Sequence, residues 1–141
     1  MKVVVPDSNI IFRALHSPNS HTRSTLLRDD CQFLTPNFLF AEIFKYKEKI
    51  LLRSKASEAE VYEYLVQVLR KIRFIPEDWV SLGCRIEAHR LCKDTDEKDT
   101  PFLALTLELE ATLWTGDETL KNGLMKKGFR DFFDEFEGIL R

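Results

Sequence analysis

Short β-branched or aromatic runs alternate with longer stretches of helical periodicity along almost the whole chain, and this alternation constrains the fold more than any other feature. Residues 2–5 form a β-branched run that stops at Pro6, as a short buried strand does. Residues 9–15 are helical in pattern, Ser20 is placed to cap a helix over 21–28, and residues 32–34 read as a strand closed by Pro36. From Asn37 the apolar positions Phe38, Leu39, Ile43, Phe44, Ile50 and Leu51 recur at helical spacing. Ser57 followed by Glu60 fits a capping box for a helix carrying Val61, Leu65, Val68, Leu69 and Ile72 inward, before a strand edge at 74–75. Glu77 and Asp78 suit the start of a helix running through Trp79, Leu82, Ile86 and Leu91. Thr100 as cap and Pro101 in the first turn open the last long helix, which leads into the strand-like ATLWT. Strand and helix in turn favour an α/β fold, a mostly parallel sheet with helices on both faces and a crevice beyond the carboxyl ends of its strands.

Its 141 residues suit one domain over 1–141, with no repeat or flexible linker to divide it. The N-terminal apolar run meets Pro6 and Asp7 at once, too early for a signal peptide or membrane span. Cys31, Cys84 and Cys92 are odd in number and lack the paired spacing of a zinc or redox motif. They read as small buried hydrophobes with reduced thiols, which places the chain in the cytoplasm. A net charge of −2 argues against binding nucleic acid by bulk positive charge, yet it leaves room for a nuclease whose carboxylates hold cations. Lysine and arginine do gather locally, at Lys45, Lys47, Lys49, Arg53 and Lys55 and at Lys121, Lys126 and Lys127. Such runs either meet phosphates or form solvated helix faces.

The acids are placed more tellingly. Asp7 follows VVVP and Asp117 follows LWTG, so an α/β sheet carries both to its carboxyl edge. Glu42 falls in the first two turns of the helix after the second strand, and Asp99 stands just before the Pro101 helix. Carboxylates crowded together take up protons or bind a cation, and oxygen-only donors suit Mg²⁺ or Mn²⁺. Such ions activate water for attack on a phosphodiester without a His, Cys or Ser nucleophile. His16, His21 and His89 have no metal-ligand spacing. On pattern alone other readings stay open, because acids after strands also mark phosphatases, receiver modules and plain helix caps; Asp7 and Asp117 each stand where a cap is needed.

At these same residues the sequence resembles the PIN-domain family, which includes the VapC-type toxins of bacterial toxin–antitoxin pairs. VVPDSNIIFRAL is similar to the family's opening strand, metal-binding aspartate and Asn turn, and FLFAEIFK to the helix bearing its second acid. The most specific stretch is KDTPFLALTLELEATLWTGDETL, in which Asp99 and Asp117 stand 18 residues apart, as the family pattern expects. The resemblance implies a three-layer α/β/α PIN-like fold with a central mostly parallel sheet. It implies that Asp7, Glu42, Asp99 and Asp117 are catalytic and hold one or two Mg²⁺ or Mn²⁺ ions for hydrolysis of RNA. Ser8, Asn9 and Thr115 would support that site. Asp96 is either an additional ligand or a charge in its loop, and Glu97 and Asp94 face solvent. Thr119 stands where some members carry a further acid.

The resemblance therefore implies a divalent-metal-dependent endoribonuclease acting on RNA, in toxin form with an antitoxin protein partner, as a homodimer and without a membrane. The alternative is a non-catalytic PIN-like module that binds RNA or protein. A phosphatase on another α/β fold ranks last, since Ser8 and Asn9 follow Asp7 where a DxD loop is needed. Phe38, Phe40, Phe44 and Tyr46 are read as core or dimer surface rather than base-stacking groups. Phe132, Phe133, Phe136 and Ile139 are read as one helical stripe that packs back on the domain, the more frequent use, or supports self-association.

Overall fold

The structure, a computed structural model, describes residues 1–17, 20–53 and 57–137. In chain order the elements are β1 (Lys2–Pro6), α1 (Ser8–His16), α2 (His21–Leu26), β2 (Cys31–Pro36), α3 (Phe38–Arg53) and α4 (Glu58–Lys71). They continue with β3 (Ile72–Ile75), α5 (Leu82–Cys92), α6 (Thr100–Leu109), β4 (Thr112–Trp114) and α7 (Glu118–Lys126). Single 3₁₀ turns at Glu77–Trp79 and Glu97–Asp99 precede α5 and α6. Lys55 and Ile139 lie outside the described residues.

All strand pairings are parallel, in the order β3-β2-β1-β4, with Lys2 opposite Cys31, Phe33 opposite Ile72 and Pro6 opposite Trp114. Val4 to Asp7 in and after β1, and Phe33 to Pro36 in β2, are buried at every successive position. Since neighbouring strand residues point to opposite faces, unbroken burial means that both faces are covered. One cover is α6, which packs on β1, β2 and β4 and in turn carries α5; α1 gathers α2, α3 and α4 into a second group. Five consecutive residues of α6, Phe102 to Thr106, are buried, and the Thr106 hydroxyl is satisfied by donating to the Phe102 carbonyl at 2.7 Å. This is the α/β/α architecture expected from the alternation of elements.

The strand order also locates the crevice. The chain builds outward from β1 through β2 to β3, then crosses back to lay β4 on the other side of β1. Connections leaving the carboxyl ends of β1 and β4 therefore diverge and leave an opening between them. Asp7 and Asp117 are the acids on those two connections.

Local chemistry departs from expectation in four places. Helix α5 begins after Ser81, whose hydroxyl accepts the Cys84 N–H at 3.2 Å, and not at Glu77. Glu77 caps a different helix: its carboxylate accepts the Phe38 N–H at the start of α3, at 2.6 Å. Trp79, Leu82 and Ile86 are consequently exposed, as are Phe40, Phe44 and Tyr46 on α3, so only Phe38 of that aromatic group packs against the core. Thr100 is the first residue of α6 rather than its cap; Asp99 holds the cap position and makes no side-chain cap bond. Finally, Phe132 and Phe133 do not lie on a helix. Leu113 N–H donates to the Asp131 carbonyl and Phe133 N–H to the Leu113 carbonyl, both at 2.9 Å, so this segment runs along the outer side of β4. An edge strand has unpaired backbone groups to satisfy, and that demand outweighs the helical spacing of the phenylalanines. Phe133 packs on Trp114 with ring centroids 5.1 Å apart, whereas Phe136 is exposed and stacks on His21.

Candidate active site

Asp7 is the most constrained acid of the molecule. Its N–H donates to the Trp114 carbonyl at 3.0 Å, which ties the end of β1 to the end of β4. Its carboxylate accepts the Ile10 N–H at 3.0 Å and so caps α1, and the side chain is only 2% exposed. Burial pushes its carboxyl above the ordinary range; the Thr115 hydroxyl and the Ile10 N–H pull the other way, the Asp117 charge adds to the rise and Arg13 opposes it. Asp117 mirrors this arrangement at β4, its carboxylate accepting the Leu120 N–H at 3.1 Å to cap α7. The buried Thr115 joins the pair, since its hydroxyl oxygen accepts the Asp117 N–H at 3.1 Å while lying beside Asp7. Capping and cleft lining thus coexist in these residues, because the helix N-termini that they cap start at the crevice.

The opposite side of the opening is supplied by α3 and by the 3₁₀ turn before α6. Ser8, Asn9, Glu42, Asp96, Glu97, Lys98, Asp99 and Asp117 line one cleft of about 540 Å³ with Phe38, Pro101 and Phe102. Phe38 meets Phe102 edge-on, with centroids 5.4 Å apart, and makes an apolar wall. Asp96 accepts the Lys98 N–H at 3.0 Å, so it shapes the turn that presents Asp99. Asp99 is half-buried, and its carboxyl is pushed up to about 7, first by burial and then by the charges of Asp7, Asp96 and Asp117. Asp94 points elsewhere and pairs with Lys127 at 2.7 Å, while the exposed Glu97 does border the cleft.

Among the described residues, no group of three His, Cys, Asp or Glu side chains stands close enough to form a ready-made metal cluster. The acids surround a cleft instead of converging on one point. Their chemistry nevertheless fits a hard divalent cation: all donors are carboxylate oxygens, and like charges raise Asp99. A cation among them would remove that repulsion.

The basic runs divide. Lys127 is engaged with Asp94 and Lys121 with Glu118 at 3.6 Å. Lys45 and Lys49 lean over the Tyr46 ring on the exposed side of α3. Sequence reading passed over Lys98, Phe102, Arg13 and Gly116. Lys98 was legible only as part of a charged loop, and the Arg13–Gly116 proximity depends on tertiary structure. No described helix is long and apolar enough to cross a membrane.

The chain matches the family model of the PIN domain over residues 4–135. No curated protein matches it. The PIN fold is in general a nuclease fold, and its members typically use divalent metals. With that match running from the middle of β1 through every acid of the cleft to the segment beside β4, the chain belongs to the PIN-domain family.

Proposed function

We propose that the protein is a divalent-metal-dependent endoribonuclease that hydrolyses RNA phosphodiester bonds in the cleft between β1 and β4. The observation that carries this reading is the gathering of Glu42, Asp96, Asp99 and Asp117 on one cleft, with buried Asp7 electrostatically coupled to Asp99 beneath it. A binding module has no need for such mutually repelling charges, whereas a metal nuclease does.

In this reading Asp7, Glu42, Asp99 and Asp117 hold Mg²⁺ or Mn²⁺, and Asp96 either adds a ligand or only shapes the turn that presents Asp99. When bound, the metal supplies Lewis-acid polarisation of the phosphoryl group and activation of water. The protein's own residues do the rest. Thr115 fixes the spacing of Asp7 and Asp117, the capped N-termini of α1 and α7 hold those two acids against the strand ends, and Ser8 and Asn9 border the position of the substrate phosphate. Half-buried Phe38, backed edge-on by buried Phe102, gives one side of the cleft an apolar surface. In the cell such an enzyme would serve as the toxin of a toxin–antitoxin pair. Its antitoxin partner, and a homodimer formed by exposed aromatic surface, belong to the same proposal.

The test joins Mn²⁺ calorimetry to cleavage of a labelled single-stranded RNA, on wild type, Asp7→Asn and Asp99→Asn. Saturable binding and metal-dependent cleavage, both lost in the variants, are the expected result. Wild-type protein that binds no Mn²⁺ and cleaves nothing would leave a PIN-shaped binding module.

A further inference from the structure

Arg13 sits on α1 one turn past Asn9, outside the ring of acids, and its guanidinium is fixed at two points. Its Nε donates to the Thr22 hydroxyl at 3.2 Å and its Nη2 to the Glu135 carboxylate at 3.2 Å. An arginine has five N–H donors, and these contacts use two of them. Nη1 has no hydrogen-bond partner among the described residues. It is held over Gly116, where an added Cβ would lie 3.0 Å from it.

Gly116 does not have the positive φ that favours glycine, and the close neighbour of its missing side chain is Arg13. The glycine therefore leaves room for the guanidinium between α1 and the Thr115–Asp117 loop. Asn9, Ile10, Arg13, Gly116 and Asp117 line a second depression of about 320 Å³, which shares Asn9 and Asp117 with the acidic cleft. A strand laid across the acids and past Asp117 enters this depression.

We propose that Arg13 is the anchor for the substrate phosphate neighbouring the scissile one, holding a single RNA strand in register through its free Nη1 edge. This rests on the nuclease reading. Guanidinium suits the task because its planar fork pairs with phosphate oxygens in fixed geometry, and Glu135 and Thr22 have already restricted its rotamers. Glu135 leaves the charge partly compensated, so the anchor adds a modest affinity together with a fixed position. A purely structural role, latching the segment around Glu135 to α1, would use the same ion pair and the same glycine but would leave the Nη1 edge and the adjoining depression without a use.

The experiment uses the full chain and a short single-stranded RNA in which one linkage at a time is replaced by an uncharged methylphosphonate. Binding is read by fluorescence anisotropy and cleavage by gel. Wild type should lose about 10-fold in affinity when one particular linkage, next to the cut, is neutral. Arg13→Gln should bind the all-phosphate RNA that weakly and show no further loss at that linkage, while Arg13→Lys recovers part of the difference. Gly116→Ala, which keeps the charge but displaces the fork, should fall between them. An unchanged affinity in Arg13→Gln, or a linkage penalty that persists in it, overturns the proposal even where the melting temperature falls. Arg13-dependent binding without wild-type cleavage would keep the anchor and remove the nuclease reading.

Discussion

The two sides of the acidic cleft are built differently. On the strand side, Asp7 and Asp117 each follow a strand of the sheet, cap a helix and share Thr115 between them. On the other side, Asp99 and Glu42 make no side-chain hydrogen bond among the described residues, although Asp99 holds a cap position. The first pair is structural and chemical at once, bonded into the scaffold whether or not a cation is present. The second pair contributes charge that the protein alone does not neutralise. On the proposed reading, one wall is held by the scaffold and serves as a reference, and the other depends on what binds.

The largest expected effect tests whether both walls serve one reaction. Asp7→Asn and Asp99→Asn should each lower kcat/KM for RNA by about 100-fold or more, as the loss of groups holding a catalytic metal does. Equal loss from both sides would unite them, and full activity in Asp99→Asn would reduce that wall to a loop. Saturating Mn²⁺ separates them by stability. At about 100 times its dissociation constant a ligand adds about 2.7 kcal/mol, so thermal melting of the wild type should rise by several degrees. In Asp99→Asn that rise should shrink to a fraction of its wild-type size.

The contrast between the walls also explains what could be read from sequence. Acids directly after β-branched runs are legible, because strand ends and helix starts have local signatures, and Asp7 and Asp117 are of this kind. Glu42 and Asp99 come from helix and turn positions whose mutual distance is a tertiary property; the order of elements brings them to the same rim, and their roles there rested on family resemblance. The errors have the same origin. Glu77 has the composition of a helix start, but its carboxylate reaches across to α3; the spacing of Phe132, Phe133 and Phe136 is helical, but β4 needs a neighbour along its edge. Arg13 was invisible for this reason too, since only the folded chain brings it over Gly116.

Thr115→Val probes the strand side alone. The substitution keeps the shape and removes the hydroxyl that accepts the Asp117 N–H beside buried Asp7. Leaving such a donor without its partner costs about 1–3 kcal/mol, so urea unfolding should show a lower midpoint with an unchanged slope. The loss should be at least as large with Mn²⁺ present, since Thr115 also spaces two of the metal-holding acids. A loss that disappears on adding the metal would mean that the reference wall is itself organised by the cation.

The smallest expected effect is the pH dependence of the metal-free protein, which tests the Asp99 wall by itself. Asp7 and Asp99 both have their carboxyls raised on folding, opposite to the usual stabilised carboxylate. A raised folded-state value means that the folded chain binds more protons than the unfolded one between the two titrations. The contribution of Asp99 is therefore fully present below the ordinary aspartate value, about 4, and is lost as pH climbs through about 7. Because Asp99 is only partly buried, water offsets much of the burial penalty and of the repulsion, and the loss should be on the order of 1 kcal/mol, a few degrees in Tm. Melting in chelator from pH 5 to pH 8 should show the wild type falling relative to Asp99→Asn, with Asp99→Asn the more stable protein at pH 8. Parallel curves would show that folding does not raise the Asp99 carboxyl, and the second wall would then hold no unfavourable charge for a cation to relieve.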